Sequence, residues 1–172
     1  MKETLRSEGH VVSDLFEVAP ADPRCQEALE LVQALSRELA QRYDFQDDGS
    51  GNFKPEDTLV LGSGFVLGRV DRRAVACGAF RPLEGDVCEI KRMFVIPDYR
   101  GYGYSKVVLA KLEHLATGMG YAIARLETAI RQPEAIGLYE RAGYRRIANF
   151  GVYVGSERSV CFEKRLERLL PC

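Results

Sequence analysis

Between Val95 and Leu112 the chain reads VIPDYRGYGYSKVVLAKL. An apolar run stops at Pro97, which has no N–H to continue a ladder. Arg100 and two glycines follow, Gly101 and Gly103, and a helix-period run starts at once. Glycines at a helix mouth let a ligand approach the backbone without a Cβ in the way. The first N–H groups of the helix are unpaired and carry partial positive charge, which suits a phosphate or pyrophosphate. Arg100 adds a permanent charge and a planar fork of donors. The plainer reading is a strand-to-helix connection that needs positive φ. Either way, a strand end must abut a helix start.

Two nucleotide motifs fail at this junction. A G-x-G-x-x-G fingerprint beginning at Gly101 and Gly103 meets Lys106 where its third glycine belongs. The phosphate loop G-x-x-x-x-G-K-[ST] is absent, because no Gly-Lys pair occurs.

Around the junction, HVVSDLFEV reads as a first strand. Cys25, Leu29, Val32, Leu35, Leu39 and Tyr43 recur at helical spacing, with Asp22 as cap and Pro23 in the first turn. The polar stretch DFQDDGSGNFKPED is a long loop. GFVLGRVDRRAVACGAFRPL is a pair of strands joined at Asp71–Arg73, and DVCEIKRMFVI is a strand ended by Pro97. A helix follows over Tyr104–Met119, then the strand YAIARLETAI and the short helix PEAIGLYERAG. YRRIANF and SVCFEKRL are closing strands. This order predicts an α/β (α+β) protein with a mixed sheet, not the regular alternation of a doubly wound fold.

The 172 residues fit one domain, over 1–172, large enough to bury about 70% of its unfolded surface without disulfides or metal. A net charge of −1 argues against a general nucleic-acid binder. No apolar run approaches a membrane span, and the first residues have no hydrophobic signal core. The five cysteines form no C-x-x-C pair, and only two histidines are present, so no metal site is expected. These features predict a reduced, cytoplasmic protein.

Arg100-Gly101-Tyr102-Gly103-Tyr104-Ser105 resembles the Q/R-x-x-G-x-G/A fingerprint of the GCN5-related N-acetyltransferase superfamily. The downstream LETAIRQPEAIGLYERAGYRRI resembles that family's N-x-x-A-I-x-L-Y-E-x-x-G-F segment. The resemblance covers about Arg69 to Ile147, with Ser105 in place of glycine or alanine and Gln132 in place of asparagine. It implies a mostly antiparallel sheet of six or seven strands with helices on both faces.

The resemblance also implies acetyl-CoA as donor and a primary amine as acceptor, with direct transfer between them. The pyrophosphate would rest on the N–H groups from Tyr102 to Ser105, assisted by Arg100, Gly101 and Gly103. The pantetheine arm would run along Met93, Phe94 and Val95, with Gln132 at the asparagine position. A backbone donor on that strand would polarise the thioester, an effect typically worth roughly 3 to 4 kcal/mol. Tyr139 matches the tyrosine that protonates or hydrogen-bonds the leaving sulfur; by spacing alone it is a core aromatic.

The amine must lose a proton, and a carboxylate is the usual device. Glu89 is the first candidate; it alternates with Cys88 and Ile90 and so points away from their face. A strand glutamate paired with Lys91 or Arg92 is the structural alternative. Glu127 is the second candidate and could instead hold the substrate ammonium. A third possibility is that no side chain acts as base. Phe45, Tyr153 and Arg92 are the remaining acceptor-side candidates, with Tyr99 nearby and Asp44, Asp47 and Asp48 as attractors of a cation. A small-molecule amine, such as an amino acid or polyamine, is expected, with a homodimer as the leaning for assembly. The alternatives are a protein N-terminal or lysine acetyltransferase, a non-catalytic acyl-CoA sensor, and a thiol enzyme, against which the strand cysteines argue as buried.

Overall fold

The computed structural model describes residues 15–43 and 55–167. Seven strands form one sheet: β1 (Phe16–Pro20), β2 (Gly64–Val70), β3 (Arg73–Glu84), β4 (Val87–Val95), β5 (Ile123–Ala129), β6 (Arg145–Ile147) and β7 (Ser159–Arg165). Their order is β1-β2-β3-β4-β5-β7-β6. Only β4 and β5 are parallel; the other neighbours are antiparallel. Among the described residues three α-helices accompany the sheet: α1 (Gln26–Arg42), α2 (Tyr104–Gly118) and α3 (Pro133–Arg141).

Alternation along the strands makes two cores. On one face Phe65, Leu67, Cys77, Ala79 and Phe94 bury against Ala28 and Leu31 of α1. On the other, Val66, Val70, Phe80 and Ile90 pack under Val108, Leu109, Leu112 and Ala116 of α2. The helical spacing of those α2 residues puts them on one stripe. Tyr139 of α3 and Tyr144 join the second core. Helices therefore cover both faces, as the resemblance implies.

The β2–β3 hairpin turns at Asp71 and Arg72, whose φ values of 47° and 71° match the twist of the flanking strands. Helices α2 and α3 end alike. The Tyr121 N–H reaches Ala116 O at 3.1 Å and the Gly120 N–H reaches Thr117 O at 3.0 Å. After α3, the Tyr144 N–H reaches Tyr139 O at 3.0 Å and the Gly143 N–H reaches Glu140 O at 3.1 Å. Both are Schellman closures around a left-handed glycine.

Three expectations need correction. Helix α1 starts at Gln26 behind Cys25 with no side-chain cap. Asp22 instead accepts the Arg24 N–H at 2.8 Å and pairs with its guanidinium, closing the turn before the helix. The most buried residues of α1, Ala28 and Leu31, lie one position off the expected stripe, of which Cys25, Val32 and Leu35 pack partly buried against the same core. Finally, YRRIANF contributes only the three residues of β6. The chain then leaves the sheet edge, held by a hydrogen bond from Asn149 Nδ2 to Ser156 O at 2.8 Å and by a 3-10 turn over Gly151–Tyr153.

Candidate active site

Strands β4 and β5 pair at only four positions, from Val87–Ile123 to Ile90–Leu126, although they run on to Val95 and Ala129. The cause is a bulge in β4. Lys91 faces Ala79 and Phe94 faces Cys77, so Arg92 and Met93 share the single position opposite Gly78. Arg92 takes a φ of 56° there. A Cβ on Gly78 would lie 2.7 Å from Leu112 Cδ1 and 2.9 Å from Met93 Sδ, so only glycine lets the bulge and α2 pack together. The Arg92 carbonyl accepts from Cys77 Sγ at 3.4 Å. A trans peptide sets C=O and N–H in opposite directions, so the Met93 N–H points away from that β3 contact.

The opening between the strands widens into a cleft of about 300 Å³. Leu35, Leu39 and Tyr43, spaced by four along α1, form one wall. Lys91, Arg92 and Met93 of β4 face Glu127, Thr128 and Ala129 of β5 across it. Gln132 and Tyr139 enter from α3, and residues between Val152 and Ser159 close the far side.

Tyr139 is placed by the end of its own helix. It is the residue whose carbonyl receives the Tyr144 N–H, and the two rings meet edge to face at 5.8 Å. Burial, followed by the charge of Glu127, raises its hydroxyl above the ordinary value, so the proton is firmly held. Gln132 stands at the start of α3, where its Oε1 accepts from Thr128 Oγ1 at 3.3 Å.

Glu89 is 1% exposed and points away from Cys88 and Ile90, as alternation requires. It does not line the cleft. Its Oε2 accepts from Arg81 Nε at 2.9 Å and its Oε1 from the Tyr153 hydroxyl at 3.0 Å. Lys91 Nζ lies 3.5 Å from Oε1 and donates to the Tyr153 hydroxyl. Arg81 continues the chain to Asp57 at 3.1 Å. The expected pairing with Lys91 is present, and Arg81, which faces Glu89 across the β3–β4 ladder, joins it. Burial lowers the pKa of Lys91, with the charge of Glu89 opposing that effect. Among the described residues, the carboxylate lining the cleft is Glu127.

At the helix mouth, Gly101 and Gly103 have φ of 87° and 81°, and a Cβ on either would meet nothing within 4 Å. The space in front of these glycines is open. The first N–H groups to turn back into the helix are those of Lys106 and Val107, both to Gly103 O, and the turn before them has no preceding helical carbonyl to bond. Tyr102 and Tyr104 stack at 5.7 Å, and Tyr104 stacks on Phe16 at 3.9 Å, which fixes the turn to β1. Arg100 is directed elsewhere than expected. Its Nε donates to Val95 O at 2.8 Å, its Nη2 pairs with Glu38 at 2.6 Å, and its guanidinium lies over the Phe94 ring. It clamps the turn to β4 and α1.

The cleft therefore brings together Met93, Arg92, Glu127, Gln132, Tyr139 and Tyr153 of the expected residues. Phe94 is buried in the α1 core, leaving only its backbone for a ligand, and the Val95 carbonyl already serves Arg100. Tyr99 does not line the cleft and lies under Arg73. Phe45, Asp44, Asp47 and Asp48 lie outside the described residues. Sequence reasoning missed Lys91, Tyr43 and Arg158. The first had a signal, since it shares the Glu89 face two residues on; Arg158 sits in a loop and had none.

No helix among the described residues is long and apolar enough to cross a membrane. No group of three or more His, Cys, Asp or Glu residues among them is placed to hold a metal. The pattern of the Acetyltransferase (GNAT) family matches residues 26–144. An IAA acetyltransferase from Azospirillum brasilense is 30% identical over 151 residues, covering 87% of this chain and 97% of that protein. A Klebsiella pneumoniae structure assigned as an acyl-CoA N-acyltransferase superposes with a TM-score of 0.75 at 29% identity, covering 90% of this chain and 99% of that one. YncA from Salmonella typhimurium, solved with acetyl-CoA, shares the fold at a TM-score of 0.68 and 17% identity, covering 91% and 96%. The match over residues 26–144 and the 30% identity across most of both chains mean that the chain belongs to the GNAT family of acetyltransferases, whose cosubstrate is acetyl-CoA.

Proposed function

We propose that this protein acetylates the primary amine of a small molecule by direct transfer inside the cleft. The observation that carries this reading is the opening between β4 and β5, whose cleft is lined among the described residues by the carboxylate Glu127 and the buried Tyr139 and Tyr153, with the anion-ready helix mouth following the end of β4. A volume of about 300 Å³ suits a small acceptor.

Acetyl-CoA supplies an activated thioester. The N–H groups at the start of α2 receive its pyrophosphate, and the open space before Gly101 and Gly103 admits it. The free edges of β4 and β5 flank its arm. The Met93 N–H, aimed away from β3, hydrogen-bonds the oxygen on which charge develops. Glu127 accepts the proton that the ammonium must shed, since it is the carboxylate that lines the cleft among the described residues. Tyr139, with its proton firmly held, delivers a hydrogen bond or that proton to the departing sulfur. Glu89 acts one layer back, fixing Tyr153 and Lys91; Arg100 fixes the glycine turn.

The test is calorimetric titration with acetyl-CoA, followed by thiol release over a panel of primary amines. Binding plus amine-dependent thiol release establishes the reading. Binding with no release from any amine would point to an acyl-CoA sensor, and no binding would overturn the reading altogether.

A further inference from the structure

The charges lining the cleft do not suit a purely cationic acceptor. Lys91 and Arg81 are matched by Glu89 and Asp57 in the network behind Tyr153. Glu127, Arg92 and Arg158 line the cleft itself, one carboxylate and two guanidiniums among the described lining residues. Arg158 is exposed, lines the cleft, and has no acidic partner among the described residues. A polyamine would be repelled at that end.

The two ends are separated along β5. The Ile130 N–H donates to Arg158 O at 2.8 Å, and Ile130 lies three residues beyond Glu127. That spacing corresponds to about 10 Å of strand. Glutamate and arginine side chains reaching from those points leave room for an ammonium and a carboxylate held a few bonds apart. Val152, 70% exposed, lines the cleft beside them and offers an apolar contact.

We infer that Arg158 forms a carboxylate subsite at the cleft mouth, so that the acceptor is an amino acid with an apolar side chain, its amine toward Glu127 and its carboxylate on Arg158. This rests on the acetyltransferase reading above and narrows its substrate class. Guanidinium and carboxylate match as planar, bidentate partners, which an ammonium in the same place would not reproduce.

The experiment compares matched pairs that differ only by the carboxylate: L-leucine with 3-methylbutylamine, and L-phenylalanine with 2-phenylethylamine. Binding of each to the CoA-saturated protein is measured by calorimetry for the natural chain, Arg158→Gln and Arg158→Lys. Arg158 is exposed, so both variants fold. The expected result is roughly ten- to hundredfold tighter binding of the acid-bearing member. That preference collapses in Arg158→Gln and is partly kept in Arg158→Lys. Equal binding within each pair, a preference that survives Arg158→Gln, or binding of neither member would overturn the subsite. Thiol release is read in parallel: release from amines without a carboxylate preference sinks the subsite and spares the acetyltransferase, whereas selective binding without release does the reverse.

Discussion

The Tyr153 hydroxyl donates to Glu89 Oε1 at 3.0 Å and accepts from Lys91 Nζ, so one phenol joins a buried carboxylate to the cation lining the cleft. Glu89 supports this arrangement, and its removal tests stability as much as chemistry. Glu89→Gln leaves Arg81 and Lys91 facing a neutral group in a buried site. The expected cost is about 3 kcal/mol in denaturant unfolding. Tyr153→Phe removes the shared hydroxyl. Because the two side chains touch, their effects should be non-additive by about 1 kcal/mol in a double-mutant cycle.

Tyr139→Phe keeps the ring contacts with Tyr144 and Phe162 and removes only the hydroxyl. Acetyl-CoA affinity should stay within a factor of about three while turnover falls on the order of a hundredfold. Calorimetry and steady-state thiol release separate the two. Unchanged turnover would return Tyr139 to a packing role.

Gly103 and Gly120 form a matched pair at opposite ends of α2. Both have positive φ and open space where a Cβ would go. Each substitution by alanine should cost about 1 kcal/mol of stability from backbone strain. Only Gly103→Ala should also weaken acetyl-CoA binding, and Gly103→Val should abolish it. Equal binding losses at both positions would show that strain, not ligand access, explains the effect.

Alkaline stability should fall from about pH 9 upward. Burial pushes the Cys77 and Cys88 thiols from an ordinary 9.0 up to about 12. Below pH 9 both folded and unfolded thiols keep their protons and stability is full. Between about 9 and 12 only the unfolded thiols ionise, so each costs up to about 1.4 kcal/mol per pH unit. Lys91 acts in the opposite sense, since its lowered pKa relieves a burial penalty as pH rises. Comparing unfolding at pH 8 and pH 10 for the natural chain and a Cys77→Ala/Cys88→Ala variant isolates the thiols, and the variant should show the shallower fall.

Much of the fold was legible because periodicity and punctuation agree. Pro97 stops β4, Gly103 opens α2, and Gly143 closes α3 and thereby sets Tyr139. The α1 stripe was read only in part, because its spacing serves two purposes. Ala28, Leu31 and Val32 face the core, Leu39 and Tyr43 face a cleft that no local pattern announces, and Leu35 touches both. Glu89 was correctly assigned a face, but alternation cannot say whether that face opens to a ligand. Arg81 and Tyr153, eight residues upstream and 64 downstream of Glu89, decide that. Arg100 looked like a phosphate ligand because its partner Glu38 is 62 residues away.

The four-rung junction between β4 and β5 has a mechanical consequence. It joins residues 16–95 on one side of the sheet to residues 123–165 on the other, and beyond Ile90 the two halves stand apart. Such a sheet is a hinge with its jaw partly open, and a strand-like ligand laid in the gap acts as a tie between the halves. The donor would then be a structural member as well as a reactant. Amide exchange should slow in both strands together when it binds, and speed up again once its acyl group and thiol have left.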